Sequence, residues 1–207
     1  ERWQHRVGPP PTTAHASRPL AWLQIGDRPA LLERVPAGLR LREWLHAFAG
    51  GVTASLPARA LIVAHLARAL DERHERGLLH GAVGPDAVQV ARTGYAALLS
   101  PGPDPEAPGP GVGAARRSGR EPHIDDDRWA LVRLAAGPLD LGRVRGMLDV
   151  LRAWAGQPSA LDPGAVLEAL RPDGVDPSPA MLARSVRVAE ALLPGPLVVG
   201  GRGAASG

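Results

Sequence analysis

The sequence predicts a mixed α+β fold in which a few short strands near the start are followed mainly by helices. Two short apolar segments, residues 20–25 and 30–35, are separated by Gly-Asp-Arg-Pro, which is typical of a hairpin turn. A second pair of apolar segments, residues 87–90 and 95–99, flanks Arg-Thr-Gly and predicts another hairpin. From about residue 126 onward the apolar residues recur at helical spacing. The predicted helices are 41–48, 57–76, 126–136, 141–154, 163–170 and 179–193.

The longest predicted helix runs from Pro57 to Arg76. Ser55 is a candidate N-cap, and Gly77 suits the left-handed position that follows a helix end. The buried face is expected to contain Leu61, Ile62, Leu66, Ala69 and Leu70. The opposite, solvent-facing side is expected to carry most of the charged residues, which are Arg59, Arg68, Glu72, Arg73, Glu75 and Arg76.

Composition shifts along the chain suggest three parts. Residues 1–19 include three consecutive prolines and are interpreted as a flexible arm. Residues 20–172 are expected to form one domain, and residues 173–207 a C-terminal helix with a Gly-rich tail. Within the domain, residues 100–122 are dense in Pro and Gly, which predicts a long loop.

Charge and composition narrow the classes of partner. Every one of the 24 basic side chains is Arg, because the sequence contains no Lys, and they are nearly balanced by 21 acidic ones. The arginines are dispersed and lack interleaved aromatic residues, so nucleic-acid binding is not expected. No apolar segment reaches the roughly 18 residues of a membrane span, and there is no signal-peptide core at the start. We therefore do not expect the protein to bind membranes. Because the sequence has no Cys, which fits a reducing compartment, we expect it to be cytoplasmic.

Three segments carry a resemblance to a known family. Residues 31–39, Leu-Leu-Glu-Arg-Val-Pro-Ala-Gly-Leu, are similar to the hinge of a bacterial serine/threonine protein kinase domain. Residues 74–88, His-Glu-Arg-Gly-Leu-Leu-His-Gly-Ala-Val-Gly-Pro-Asp-Ala-Val, resemble the end of its long helix and its catalytic loop. Residues 98–102 fall where the family has its magnesium-binding triplet. The resemblance implies a protein kinase-like fold, mostly the helical C-lobe with a remnant of N-lobe strands.

The resemblance also implies that the residues for phosphoryl transfer are missing. In the family's register, the Asp that orients the substrate becomes Ala82, the magnesium-binding Asn becomes Ala87, and the magnesium-binding Asp becomes Ser100. The family also uses a Lys to hold the nucleotide phosphates. Since the chain contains neither Lys nor Asn, a shifted alignment cannot restore the role of that Lys or of the magnesium-binding Asn. We therefore expect no catalytic residues, no metal and no cofactor.

Other residues match the family's structural positions. His80 and Pro85 are interpreted as a remnant of the catalytic loop, although a general-base role for His80 is a weaker alternative. In the family an Asp at the start of the helix near residue 126 braces that loop, a role that falls to Asp126 or to its neighbour Asp127. The hinge resemblance makes a set of residues candidates for facing a nucleotide, namely Leu32, Glu33 and Val35.

Two further groups are interpreted structurally, with a functional alternative left open. The loop arginines Arg116, Arg117 and Arg120 are expected to be solvated charge, although they could contact a phosphorylated partner. The last predicted helix has an apolar stripe, which we expect to pack on the domain rather than to dock a partner helix. Its members are Met181, Leu182, Val186, Ala189, Leu192 and Leu193. Core positions are expected for Trp22, Trp44, Trp129 and Trp154.

The sequence thus favours a catalytically inactive, pseudokinase-like module that acts through protein contacts, with a kinase or a signalling assembly as its partner. Nucleotide binding is expected to be weak or absent. One alternative is a degenerate kinase with residual ATP-dependent transfer that uses Asp86 or Asp126. The other is a helical adaptor unrelated to kinases, which predicts no strand pair around Glu33.

Overall fold

The computed structural model describes residues 18–25, 28–49, 54–100, 123–143, 146–156 and 177–193. The strands are β1 (Arg18–Ile25), β2 (Arg28–Arg34), β3 (Gly38–Arg40), β4 (Val88–Ala91) and β5 (Ala96–Leu98). The helices are α1 (Leu41–Ala47), α2 (Leu56–His74), α3 (Ile124–Ala136), α4 (Met147–Gly156) and α5 (Pro179–Leu192), with short 3-10 helices at Pro85–Ala87 and Leu141–Arg143. The predicted α+β class is confirmed as a mixture of helices and antiparallel sheet.

Both predicted hairpins form. Strands β1 and β2 pair antiparallel in a two-stranded sheet, with Ile25 opposite Arg28 at the turn and Arg18 opposite Arg34 at the open end. A second sheet has the order β3-β4-β5 and is antiparallel throughout. Because β3 directly precedes α1, this sheet fixes where the first helix begins.

Helix α2 lies at the centre of the fold, and the prediction that it buries only one face is wrong. The expected buried residues Leu61, Ile62, Leu66, Ala69 and Leu70 are all buried. However, Arg59 and Arg73 are also buried, so α2 is covered on nearly all sides. The Arg59 guanidinium donates to the carbonyl oxygen of Leu139 at 3.2 Å, which gives this buried charge a partner from beyond α3.

A buried polar cluster joins α2 to α3 and α4. Asp71 accepts a hydrogen bond of 3.2 Å from the indole nitrogen of Trp154. The Arg128 guanidinium lies 3.9 Å from the Asp71 carboxylate and 5.3 Å from the centre of the Trp154 ring. Attraction between the guanidinium and the indole face adds to this ion pair. The three helices are therefore held together by polar contacts as well as by apolar packing.

The last two helices differ in part from their predictions. The expected helix over residues 141–154 is instead a 3-10 helix followed by α4, with Gly146 at φ 86° just before α4 begins. In α5, Leu182, Val186 and Ala189 are buried as expected, whereas Leu192 is exposed. The predicted helix 163–170 lies outside the described residues.

The tryptophans separate into core and surface positions. Trp44 and Trp154 are buried, which confirms two of the four core predictions. The indole nitrogen of Trp44 donates to the Ser185 hydroxyl at 3.2 Å and so ties α1 to α5. Trp129 is 40% exposed, so its predicted core position is wrong. The side chain of Trp22 lies outside the described part of the chain. Of the helices described, none is long and apolar enough to cross a membrane.

Candidate functional site

The candidate site is the segment from Leu78 to Ala87, here called the 78–87 loop. It follows the end of α2 and leads through a 3-10 helix into β4. The start of α3 and the residue after β5 approach the loop from either side. Asp127 of α3 and the Leu99 carbonyl both accept hydrogen bonds from His80 of the loop. The conformation of the loop is therefore set by residues that are distant in sequence.

Asp127 holds the backbone of the loop. Its two carboxylate oxygens accept N–H donors from His80 and Gly81, both at 2.7 Å. The Nε2 atom of His74 lies 3.1 Å from the same carboxylate, and because a carboxylate only accepts, this nitrogen must carry a proton. Asp127 is almost completely buried. We call this arrangement the Asp127 clamp.

The electrostatics of the clamp favour an ionised carboxylate. Burial acts to raise the pKa of Asp127, but the hydrogen bond from His74, the electrostatic effect of His80 and the two backbone donors together bring it below its ordinary value. Hydrogen bonds to the charged form stabilise that form. The clamp is therefore a buried anion whose neighbours compensate its loss of hydration.

His80 connects the loop to the end of β5. Its Nε2 atom lies 2.6 Å from the Leu99 carbonyl oxygen, and the Ala82 N–H points at its Nδ1 atom at 3.2 Å. The carbonyl must accept and the amide must donate, so the proton is on Nε2 and Nδ1 is an acceptor. Burial lowers the pKa of His80 to about 4, against the electrostatic effect of Asp127, which acts to raise it. The ring is therefore neutral near pH 7 and both of its nitrogens are occupied in holding backbone groups, as a structural residue would be.

Two of the loop side chains that the sequence resemblance compares with catalytic residues carry little chemistry. Ala82 and Ala87 are half-buried, and neither side chain can accept a proton or bind a metal. Ser100, one residue after the carbonyl that His80 contacts, offers only a hydroxyl group. The hydrogen bonds of Asp127 and His80 thus hold the loop backbone, whereas Ala82 and Ala87 contribute neither an acid nor a base.

The far end of the loop is tied to α1. Pro85 begins the 3-10 helix, and the Asp86 carboxylate forms an ion pair with Arg42. The Arg40 guanidinium also donates to the Asp86 carbonyl oxygen at 3.1 Å. Asp86 is a carboxylate within the loop, and its ion pair with Arg42 is exposed to solvent.

Asp126 has a capping role at the start of α3. Its carboxylate accepts the N–H of His123 at 2.7 Å, and it belongs to a capping box at the start of α3. Of the two candidates, Asp126 and Asp127, it is Asp127 whose carboxylate accepts hydrogen bonds from the loop backbone.

The remaining predicted site residues are not brought to the loop by any described contact. Leu32 is exposed on β2, and Val35 is exposed directly after β2 ends. The side chain of Glu33 is outside the described part, as are all three loop arginines, Arg116, Arg117 and Arg120. Within the described residues there is no group of three or more His, Cys, Asp or Glu side chains that could hold a metal ion.

Sequence reasoning missed two contributors to the site. Arg73 was expected on the solvent-facing side of α2, but it is buried and donates to the Leu79 carbonyl at 3.2 Å. His74 was given no role of its own, and its Nε2 atom contacts the clamp. Because both residues lie at the end of α2, a few positions before the loop, their sequence position could have indicated contact with it. A search of protein-family models finds none that matches the chain, and a search of curated proteins finds no match either.

Proposed function

We propose that this chain is a protein kinase-like module without phosphotransfer activity, a pseudokinase, which acts by binding another protein. The observation that carries the proposal is the contrast within the 78–87 loop. Asp127 and His80 fix its backbone through buried hydrogen bonds, while Ala82 and Ala87, at two of the positions that the resemblance compares with catalytic residues, have side chains that handle neither protons nor metal ions.

Two features of the fold support the kinase-like part of the proposal. A strand pair precedes the helices, and β2 contains Glu33 where the resemblance puts the hinge. A helical adaptor unrelated to kinases predicts no such pair. The long helix α2 then leads directly into the clamped loop, which is the order that the resemblance implies.

The arrangement of acidic groups favours binding over catalysis. A degenerate enzyme would need Asp86 or Asp126 to take over a metal or proton role. Asp86 is engaged by Arg42, and Asp126 caps α3. Both carboxylates therefore already have a structural partner. We therefore propose a protein as the ligand, such as a kinase or a component of a signalling assembly.

The test is thermal unfolding of the full chain with ATP, in the presence and absence of magnesium. A ligand at 100 times its dissociation constant stabilises the folded state by about 2.7 kcal/mol, which corresponds to roughly 5–10 °C for a domain of this size. We expect no magnesium-dependent rise in the melting temperature. The matched variants are Asp86→Ala and Asp126→Ala, each of which removes one carboxylate that an enzyme would use.

A magnesium-dependent rise that is lost in Asp86→Ala or Asp126→Ala would overturn the proposal in favour of a degenerate kinase. The assay is completed by measuring phosphate release from ATP under the same conditions. Release above the level of a heat-denatured sample, and sensitive to the same variant, would lead to the same conclusion.

A further inference from the structure

His80 is held at both of its ring nitrogens, and the two contacts require opposite hydrogen-bonding roles. Nε2 donates to the Leu99 carbonyl oxygen at 2.6 Å, and Nδ1 accepts the N–H of Ala82 at 3.2 Å. Gly81, at φ 75°, turns the backbone so that the amide of the next residue faces back toward the ring. Only the neutral imidazole with its proton on Nε2 satisfies both contacts.

An added proton would disrupt one of these contacts. Protonation converts Nδ1 into a donor, so two N–H groups would face each other where His80 now accepts from Ala82. The ring is also almost completely buried, and a buried charge is unfavourable unless its surroundings compensate it. The closed loop therefore favours the neutral ring, whereas a ring exposed to water accepts the proton more readily.

The charged and titratable groups around the ring do not reverse this preference. Burial is the largest effect; Asp127 of α3 favours the imidazolium, whereas Arg73 and His74 at the end of α2 oppose it. Together these effects hold the pKa of His80 at about 4. The Asp127 carboxylate is already engaged by two backbone N–H groups and by His74. It therefore compensates only part of the cost of charging the ring.

The loop can open without unfolding the helices. Within the 78–87 loop only the side chains of His80 and Val83 are buried. Rotation about the Cα–Cβ bond of His80 can move the ring into water while the backbone N–H of the same residue stays bonded to Asp127. Because this motion exposes little apolar surface, we expect it to cost less free energy than global unfolding.

We propose that protonation of His80 opens the 78–87 loop locally: the ring leaves its buried position, and the segment 82–84 loses its fixed conformation while α2 and α3 remain folded. Asp127 stays bonded to the His80 and Gly81 amides in this state, because these donors stabilise its ionised carboxylate. The device concerns the conformation of the loop and does not depend on the proposed pseudokinase function.

The size of the effect follows from the two protonation equilibria. In the open loop the ring is in water, where its pKa is the ordinary 6.5, and the closed loop lowers that pKa to about 4. Opening is therefore favoured as the pH falls from 6.5 towards 4. The ratio of open to closed loop should rise about tenfold on going from about pH 7.5 to about pH 5.5.

Amide hydrogen exchange of the full chain, followed by NMR and corrected for the intrinsic effect of pH, measures this opening residue by residue. At Ala82 the opening constant should rise about tenfold between those two pH values, whereas Gly81 and the middle of α2 should change by less than about twofold. A rise under about threefold at Ala82, or an Ala82 amide that is already unprotected at neutral pH, would overturn the proposal. So would an equal rise at Ala82 and in α2, because that would indicate global unfolding.

Two variants assign the effect to one residue. His80→Gln removes the titrating ring and keeps a side chain that can donate to the Leu99 carbonyl, and His46→Gln makes the same change at an exposed histidine of α1. The rise at Ala82 should disappear in His80→Gln and persist in His46→Gln. Its persistence in His80→Gln would refute the assignment, because another group would then be responsible.

The nitrogen NMR spectrum of the histidine rings gives a readout that needs no variant. At neutral pH His80 should carry its only ring proton on Nε2, as the contacts to Leu99 and Ala82 require. A proton on Nδ1 at that pH, whether in the other tautomer or in an imidazolium, would contradict the proposal. A magnesium-dependent effect of ATP would remove the pseudokinase assignment but leave this device unaffected.

Discussion

Replacing Asp127 by Asn should destabilise the protein far more than the same change at Asp126. The Asp127 carboxylate accepts two backbone N–H groups at 2.7 Å and faces the Nε2 atom of His74 at 3.1 Å. An amide in its place offers one oxygen and turns an N–H₂ group toward a donor, so at least one of these contacts is lost. Hydrogen bonds to a charged group contribute about 1.5–3 kcal/mol each, and breaking a buried ionic arrangement costs about 3–5 kcal/mol. We therefore expect Asp127→Asn to lower the free energy of unfolding by about 3–5 kcal/mol.

Asp126→Asn is a matched control because it makes the same chemical change one residue away. Asp126 accepts the His123 N–H at the exposed start of α3. Loss of a capping contact costs about 1 kcal/mol. The free energy of unfolding of both variants would be measured by urea titration followed by circular dichroism, with the slope of the transition checked for constancy.

The reasoning also predicts a local effect. Amide hydrogen exchange at His80 and Gly81 should accelerate in Asp127→Asn, while the amides in the middle of α2 should keep their protection relative to global stability. Equal and small losses of stability in the two variants would refute the clamp, because they would mean that the buried carboxylate contributes no more than an exposed cap.

Three further predictions concern the surroundings of the loop. Burial lowers the pKa of His80 from 6.5 to about 4, so between these two pH values the imidazole is protonated in the unfolded state but not in the folded state. The free energy of unfolding should therefore fall by about 3 kcal/mol as the pH drops through this range. Urea titrations should show a smaller fall in His80→Gln. Gly94→Ala should cost roughly 3 kcal/mol, since φ is +87° and a Cβ would lie 1.9 Å from a carbonyl oxygen at the start of α5. Gly77→Ala, at φ +69° with nothing within 4 Å, should cost only about 1 kcal/mol, and equal shifts in melting temperature would contradict the comparison. Trp154→Phe removes the 3.2 Å hydrogen bond to Asp71 and should lower the free energy of unfolding by about 1–3 kcal/mol, with an unchanged value counting against the buried cluster.

The sequence predicted most elements because their signals are local. The turn residues at both hairpins and the apolar spacing within α2 and α5 depend on neighbours a few positions away, and the corresponding strands and helices form near the expected bounds. The break before α4 was missed, although Gly146 was a visible signal for it.

Burial of charged residues could not be predicted in the same way. Arg59 and Arg73 lie on α2 among other charged positions, and periodicity alone assigns such residues to the solvent side. Their partners are the carbonyl oxygens of Leu139 and Leu79, which no pattern of side chains reveals. Sequence reasoning therefore found the apolar face of α2 and missed that the opposite face is also covered.

The choice between Asp126 and Asp127 illustrates a limit of a different kind. Consecutive positions on a helix differ by about 100° in direction, so only one of them can point at the loop. The sequence fixes neither the first residue of α3 nor its rotation. In the structure His123 is the N-cap, which makes Asp126 the third residue of the helix and leaves Asp127 to face inward.

The energetics of the clamp bear on what the buried Asp127 contributes to the 78–87 loop. A buried carboxylate is costly unless hydrogen bonds compensate it, and a well-packed apolar residue often serves stability as well or better. Asp127 is compensated by groups that belong to the loop itself and to His74, so its net effect is to specify one loop conformation. One fixed conformation of the 78–87 loop would suit the protein partner that we propose, and Asp127→Asn should therefore weaken the binding of that partner more than Asp126→Asn does.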